Sequence, residues 1–254
     1  MTVDRERLSR LDETLFDAIE SQTSDQDRRS LLALHGAVAD ALGNFGYLEI
    51  GSHRGGSLQV LVTDERCRKI VSIDPRPEWQ PDDRPGIAGC AYSRNSTEDM
   101  LELLAVVPGA DVTKIETIEL GTESIDPETV ERPDLCFVDG EHTQVAALRD
   151  ARFCRAVLRG RGIVAFHDFW IVAPAVLRFL RELKDGRGYF LRNSIFVVEF
   201  GGATVYADSR IQSQCRLPPA VWRLLASLGA GPLVLEAFRL RALVLARTAR
   251  WRRL

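Results

Sequence analysis

Apolar residues recur at three- and four-residue steps near the start of the chain: Leu8, Leu11, Leu15 and Ile19, then, after a Ser/Thr/Asp-rich break at 21–25, Leu31, Leu34, Val38 and Leu42. That period predicts two helices ahead of the core. From Tyr47 the pattern changes to short runs rich in Ile, Val and Leu without alternation, at 47–50, 69–73, 115–120, 134–138 and 162–166. Such runs read as strands buried on both faces of a parallel sheet. Helical segments separate them. One, at 96–104, opens on Ser96-Thr97-Glu98-Asp99, a capping-box pattern. Another carries Ala147, Leu148, Ala151, Cys154 and Leu158 on one side and ends at Gly160. A helix at 172–183 precedes two further strands, 189–191 and 195–200, joined by Arg192-Asn193-Ser194 as an antiparallel pair. The expectation is an α/β fold: a Rossmann-like, mostly parallel sheet with an antiparallel edge hairpin and helices on both faces. A helical cap at 1–45, a central domain at 46–208 and C-terminal helices at 209–254 complete it, with no internal repeat.

Composition narrows the function. At 254 residues one core suffices, and 45% apolar with 27% charged residues is the balance of a folded globular chain. The net charge of -3 gives no broad basic surface, so no nucleic-acid partner is expected. The charge is uneven: residues 216–254 hold eight Arg, no Lys and one acid, Glu236, a sum of +7 that leaves -10 for the rest. Cys67, Cys90, Cys136, Cys154 and Cys215 are odd in number, with no Cys-x-x-Cys pair. Together with a charged start that lacks a signal peptide, they predict reduced thiols and a cytoplasmic protein. The apolar stretch at 220–246 is interrupted by Arg223, Glu236, Arg239 and Arg241 and does not read as a membrane span.

In an open α/β sheet the chemistry gathers just beyond the strand C-termini. The first strand leads into Gly51-Ser52-His53-Arg54-Gly55-Gly56-Ser57, a glycine-rich turn that lets a ligand approach the backbone. Asp74, 23 residues after Gly51, ends the second strand where an acid commonly accepts ribose hydroxyls. The spacing Gly-x-x-x-Gly-Gly, with His53 in place of a second glycine, disfavours a dinucleotide. Three of the four histidines, His53, His142 and His167, follow strands, whereas His35 lies in an N-terminal helix as a packed or surface residue.

The order acid, one residue, Gly-x-x-x-Gly, filled by Glu49, Gly51 and Gly55, resembles the first motif of the class I S-adenosylmethionine-dependent methyltransferases. Phe137-Val138-Asp139-Gly140-Glu141-His142, Arg149-Asp150, Leu158-Arg159-Gly160-Arg161-Gly162 and Phe166-His167-Asp168 are similar to the bacterial branch containing metal-dependent O-methyltransferases of sugars and antibiotics. The resemblance covers about residues 45–200. It implies that Glu49, Gly51, Ser52 and Gly55 frame the methionine end of S-adenosyl-L-methionine and that Asp74 holds its ribose. Gly121-Thr122-Glu123-Ser124 would lie along the adenine, with Thr122 and Ser124 as contacts and Glu123 a departure from the usual Gly-Asp-Ser.

The resemblance also implies a divalent metal, Mg²⁺ or Mn²⁺, at Asp139, His167 and Asp168. Metal-using members usually carry oxygen donors there, so His167 departs from the pattern. Either it shifts the metal preference toward Mn²⁺, Fe²⁺ or Zn²⁺, or it is a proton acceptor with no metal bound. Asp168 as a mere cap of the following helix, or as a residue that fixes a loop, is the plainer alternative.

The resulting expectation is a methyltransferase acting on a hydroxyl of a small-molecule acceptor, a sugar or secondary metabolite, with His142, His167 and Asp139 as catalytic groups. A nicotinamide-dependent oxidoreductase and a non-catalytic binding module on the same fold are the rivals. For the C-terminal segment a homo-oligomer contact is expected first. Peripheral membrane binding through Arg239, Arg247, Arg250, Arg253 and Trp251 comes second, and packing on its own domain third.

Overall fold

The computed structural model describes residues 4–84 and 86–240. Helix α1 (Arg5–Ser9) and a 3₁₀ turn (Glu13–Phe16) replace the single helix that the spacing of Leu8 to Ile19 predicts. Asp4 caps α1, Asp12 caps the 3₁₀ turn through Thr14 N, and Leu11 between them has φ 56°. Short acidic side chains that bond the local backbone compete with a continuous helix. Of the four predicted apolar positions Leu8 and Ile19 are buried and Leu11 and Leu15 partly so, while Phe16, outside that pattern, is buried beside them.

Helix α2 (Asp25–Leu42) leads into β1 (Phe45–Ile50), after which come α3 (Gln59–Thr63), β2 (Cys67–Ile73) and a small antiparallel ribbon of β3 (Trp79–Pro81) and β4 (Gly89–Ala91). The chain continues through α4 (Thr97–Ala105), β5 (Ile115–Ile118), β6 (Leu135–Val138), α5 (Gln144–Val157), β7 (Gly162–Phe166), α6 (Phe169–Glu182), β8 (Arg187–Phe190) and β9 (Phe196–Phe200). Helices α7 (Ser209–Gln214), α8 (Pro219–Ser227) and α9 (Gly231–Leu240) come last. The capping expected at Ser96 is present, its side chain accepting from Asp99 N.

The main sheet has seven strands in the order β5-β2-β1-β6-β7-β9-β8. The first five are parallel and β9 and β8 close it as the antiparallel edge pair. Alternate residues along each strand feed two cores. Leu48, Ile50, Val71, Val138 and Val164 lie on the side of α5 and α6, and Tyr47, Ile70, Phe137 and Ala165 on the side of α2. Both faces are apolar because both are covered, which is why the runs do not alternate in polarity.

Register aligns the strand ends. Ile118, Ile73, Ile50, Val138 and Phe166 pair across the five parallel strands in one row. The next residue on each of the four inner strands, Asp74, Gly51, Asp139 and His167, donates its backbone N–H back to a neighbour in that row at 2.9–3.0 Å. Four segments therefore leave the sheet at the same height.

Described residues beyond Asp208 pack on this body. Trp222 of α8 is buried edge-on against Phe169 and Phe196. Arg223 donates to the carbonyls of Leu180, Leu183 and Lys184 at 2.7–3.1 Å, satisfying the end of α6. Leu224, Leu228, Leu233 and Leu240 are exposed on α8, α9 and their junction. Among the described residues no single helix is long and apolar enough to cross a membrane; α8 and α9 pass that test only as a pair bent by 115°. Arg241, Arg247, Arg250, Trp251 and Arg253 lie outside the described residues.

Candidate active site

The glycine-rich turn after β1 is built on positive φ. Gly51 (87°) and Gly55 (77°) hold it, and His53 between them is also left-handed at 43°. A side chain at Gly51 would run into the backbone of Asp139 and Gly140, so glycine here is what lets the turns after β1 and β6 touch. His53 N donates to Asp74 Oδ2 at 2.9 Å, and the Arg76 guanidinium bonds the His53 carbonyl, tying the turn to the end of β2.

A cleft of about 300 Å³ opens above these turns. Gly51, Ser52, His53 and Ser57 line one side, Asp139, His142, His167 and Asp168 another, and Asp27, Arg84, Tyr92 and Asn193 complete the wall. The three strand-end histidines thus share one opening, as their positions predict. His35 is elsewhere, buried with Nε2 2.7 Å from Asp64.

At the centre His167 Nδ1 lies 2.9 Å from Asp139 Oδ1 and 3.9 Å from Asp168 Oδ2. His142 Nε2 lies 3.4 Å from Asp168 Oδ2 and 3.8 Å from Asp139 Oδ1, while its Nδ1 is 3.1 Å from Asp82 Oδ2. His167 Nε2 faces Asp27 Oδ2 at 3.8 Å. Both Nε2 atoms are buried and have no hydrogen-bond partner among the described residues. Asp168 has φ 46° and ψ 38° at the N-cap position of α6, yet its side chain makes no capping hydrogen bond. The plainer reading of Asp168 as a helix cap is not realised; a strained backbone instead presents the carboxylate to the cleft.

Charge is set by this geometry. Burial works against ionisation of His167, but Asp139, Asp27 and Asp168 outweigh it and hold its pKa well above the ordinary imidazole value. Burial likewise opposes a charge on His142, and Asp139, Asp168 and Asp82 overcome it. Burial would raise Asp139, but the two imidazoles draw it down to about 2. Among the described residues no three such side chains stand as a ready-made cage for a cation. The unpartnered His142 nitrogen beside two carboxylate oxygens is nevertheless a donor set that suits one.

The other residues that the sequence motifs point to sit apart from the cleft. Glu49 is fully buried beneath the turn, accepting from Tyr47 Oη at 2.6 Å and Ser57 Oγ at 2.5 Å, and burial pushes its carboxyl up to about 7. Asp74 is buried, with Oδ1 accepting from Arg76 N at 2.9 Å and the Arg76 guanidinium 3.5 Å from Oδ2. Thr122 turns inward, donating to Asp150 Oδ1 at 2.5 Å, and Ser124 is exposed.

Sequence reasoning misses Asp27 and Asp82. Asp27 belongs to a capping pair with Ser24 at the start of α2, a Ser-x-x-Asp signal, and also accepts from Ser194 N and Oγ at 3.0 and 2.9 Å. Asp82 comes directly after the three-residue strand β3 and is held by a bidentate Arg84. Nothing periodic in the sequence marks it.

Residues 48–169 match the family model described as a methyltransferase domain. That stretch, just under half of the chain, is similar to methyltransferase domains, and the sheet that carries it has the fold of S-adenosylmethionine-dependent methyltransferases. Among solved structures, this chain is similar in fold to the O-methyltransferase TomG from Streptomyces achromogenes, involved in tomaymycin synthesis and solved with S-adenosylmethionine. Identity is 15% over 78% of this chain and 90% of that one, with a TM-score of 0.50. It is also similar to the MycE methyltransferase of the mycinamycin biosynthetic pathway, solved with Mg and S-adenosylhomocysteine, at 14% identity over 76% of this chain and 53% of that one, TM-score 0.51. A curated relative, the uncharacterized protein R132 of Acanthamoeba polyphaga mimivirus, is 23% identical over 150 residues, 56% of this chain; the match spans 62% of that relative's length.

Proposed function

We propose that this methyltransferase moves a methyl group from S-adenosylmethionine to a hydroxyl oxygen of a small molecule. The observation that carries the reading is the convergence of His142, His167, Asp139 and Asp168 within 2.9–3.9 Å contacts at the strand ends, beside the Gly51–Gly55 turn. Carbon and nitrogen acceptors with an available lone pair or enolate need less help with a proton than an alcohol, whose free pKa is far above 7. A buried cluster of proton-accepting groups answers that need.

The bound cofactor supplies an electrophilic methyl group on a sulfonium. The chain's part is to seat the cofactor on the Gly51, Ser52 and Gly55 turn, with Glu49 holding the turn from beneath through Ser57. Asp74 is the residue assigned to the ribose; Arg76 stands 3.5 Å from its Oδ2. The carboxylates Asp27, Asp82, Asp139 and Asp168 favour positive charge in the cleft. They also hold the imidazoles toward their protonated forms, and a cation held beside them would oppose that pull. His167, on Asp139, is then placed to accept the acceptor's proton at a ring nitrogen.

A divalent ion fits the same cluster. Asp139 and Asp168 oxygens and His142 Nε2 would hold it, with Asp82 fixing the His142 tautomer from behind. This assignment puts His142 in the place that the sequence motif assigns to His167, because His167 Nδ1 is already at hydrogen-bond distance from Asp139. When bound, such an ion lowers the pKa of a hydroxyl that reaches it.

Calorimetry with S-adenosylhomocysteine, then a screen of hydroxyl, amine and thiol acceptors with methyl-labelled cofactor, tests the reading. Binding with label appearing on hydroxyl compounds is expected. Label confined to amines or thiols, or no binding, overturns it.

A further inference from the structure

Beside the cleft lies a larger cavity of about 600 Å³, the volume of a pocket for a drug-sized ligand. Arg84, Asp168 and Asn193 face both spaces, so they meet at the carboxylate cluster. Away from that junction the wall is apolar: Trp170 from α6, Phe190 from β8, and Leu235 and Phe238 from α9. Trp170 is the centre of this wall, with its ring centroid 4.3 Å from that of Phe190 and 3.6 Å from that of Phe238. One side of the chamber is thus contributed by α9, a segment beyond the matched methyltransferase domain.

Two further arginines line the same chamber, and their pairing differs from that of Arg84. Arg84 is satisfied by Asp82 at 2.7–3.0 Å. Arg216 is exposed at the chamber's edge and has no ion-pair partner among the described residues. Arg239 pairs with Glu236 on its own helix, while its Nε is buried without a hydrogen-bond partner among the described residues. A buried guanidinium nitrogen left without an acceptor is costly, and an anionic ligand group would supply one. An apolar wall, the unpaired Arg216, the Nε of Arg239 and a carboxylate cluster at the far side define the shape of what fits.

We infer that this chamber binds the methyl acceptor, and that the acceptor is an aromatic or similarly flat apolar hydroxy compound bearing a carboxylate, sulfate or phosphate. Its ring lies on Trp170 and Phe238, its anion meets Arg216 and Arg239, and its hydroxyl points to Asp168. The role as acceptor rests on the methyltransferase reading above; the preference for an apolar anion rests on the chamber alone. A neutral sugar would leave the Arg239 nitrogen and the apolar wall poorly used.

Fluorescence titration of the full chain with two dyes tests the preference: anilinonaphthalene sulfonate, and phenylnaphthylamine, which has the same rings without the charge. The sulfonate is expected to bind about tenfold more tightly, the size of one charge-assisted hydrogen bond. Arg216→Gln and Arg239→Gln should each remove several-fold of that advantage and leave the neutral dye unchanged, while Phe238→Ala weakens both. Unchanged affinity of each variant for S-adenosylhomocysteine shows that it is folded. Equal affinity of the two dyes, or sulfonate binding indifferent to both arginine changes or to Phe238→Ala, overturns the inference. If the dyes behave as expected but S-adenosylhomocysteine does not bind the unaltered protein, the methyltransferase reading fails and the acceptor role falls with it. If the cofactor product binds and the dye preference is absent, only the acceptor class is refuted.

Discussion

His142 is held from behind by Asp82: its Nδ1 lies 3.1 Å from Oδ2 of that buried carboxylate, and the opposite nitrogen, Nε2, faces Asp168 without a hydrogen-bond partner among the described residues. One ring nitrogen is thus committed and the other presented. Asp82→Asn should therefore lower turnover by about 10–100-fold through loss of the His142 orientation, the usual cost of removing such a supporting carboxylate. Affinity for S-adenosylhomocysteine, whose proposed contacts lie on the β1 and β2 side, should stay within about a factor of two. Initial rates and calorimetry on the same preparation check both halves.

Chelation should depress turnover, and Mn²⁺ or Mg²⁺ should restore it. Asp139→Asn, Asp168→Asn and His142→Gln should each abolish the recovery, whereas His167→Gln should slow the reaction without abolishing the metal response. Full activity in chelator, with no metal in the purified protein by elemental analysis, would falsify the metal assignment.

Asp74→Ala should weaken S-adenosylhomocysteine binding by about 1.5–3 kcal/mol, the loss expected when hydroxyls lose a charged acceptor. Arg76→Ala, which uncovers the same carboxylate, should strengthen binding or leave it unchanged. Opposite signs in calorimetry support a ribose contact. A loss of similar size in both variants points instead to collapse of the turn.

Glu49 gives a pH dependence with a definite sign. Burial raises its carboxyl from an ordinary 4.5 to about 7 despite the hydrogen bonds from Ser57 and Tyr47. A raised acid favours the folded state fully below its unfolded pKa, and that advantage is lost as pH rises through the folded value. Between pH 4.5 and 7 the apo protein should lose about 3 kcal/mol from this group, and Glu49→Gln should flatten that part of the profile. Urea denaturation at intervals across this range, in both proteins, reads the difference directly.

Trp222→Ala should cost about 3–5 kcal/mol, as expected for truncating a large buried aromatic. Trp222 packs on Phe169, the neighbour of Asp168, so turnover per folded molecule should fall as well. A variant that loses stability and keeps its rate would show that Asp168 does not depend on this packing.

Much of the fold is legible in the sequence because the sheet is buried on both faces. The parallel strands declare themselves as apolar runs whose ends fall within two residues of those observed. A strand end is also where the chemistry stands, so Asp139, His167 and Asp168 can be located from the same runs. Less is legible where short polar side chains govern the backbone. Leu8 to Ile19 has helical spacing, but Asp4 and Asp12 divide it. The ribbon carrying Asp82 has strands of three residues, too short for any period to register. Thr122 comes after the right strand, but facing the cleft or facing Asp150 is a matter of side-chain direction, which spacing does not encode.

The common height of the strand ends has a consequence for how this protein can change. Removing one residue inside β6 would draw Asp139 back by about 3.3 Å and exchange the two faces of the strand, destroying core and cluster together. Adding residues between Ser93 and Asn95, or within 202–207, leaves every member of that row in place. Length variation should therefore be tolerated in the connections and rejected in the strands, so a library of random single-codon insertions selected for methyl transfer would recover the outline of the sheet as gaps in its survivors.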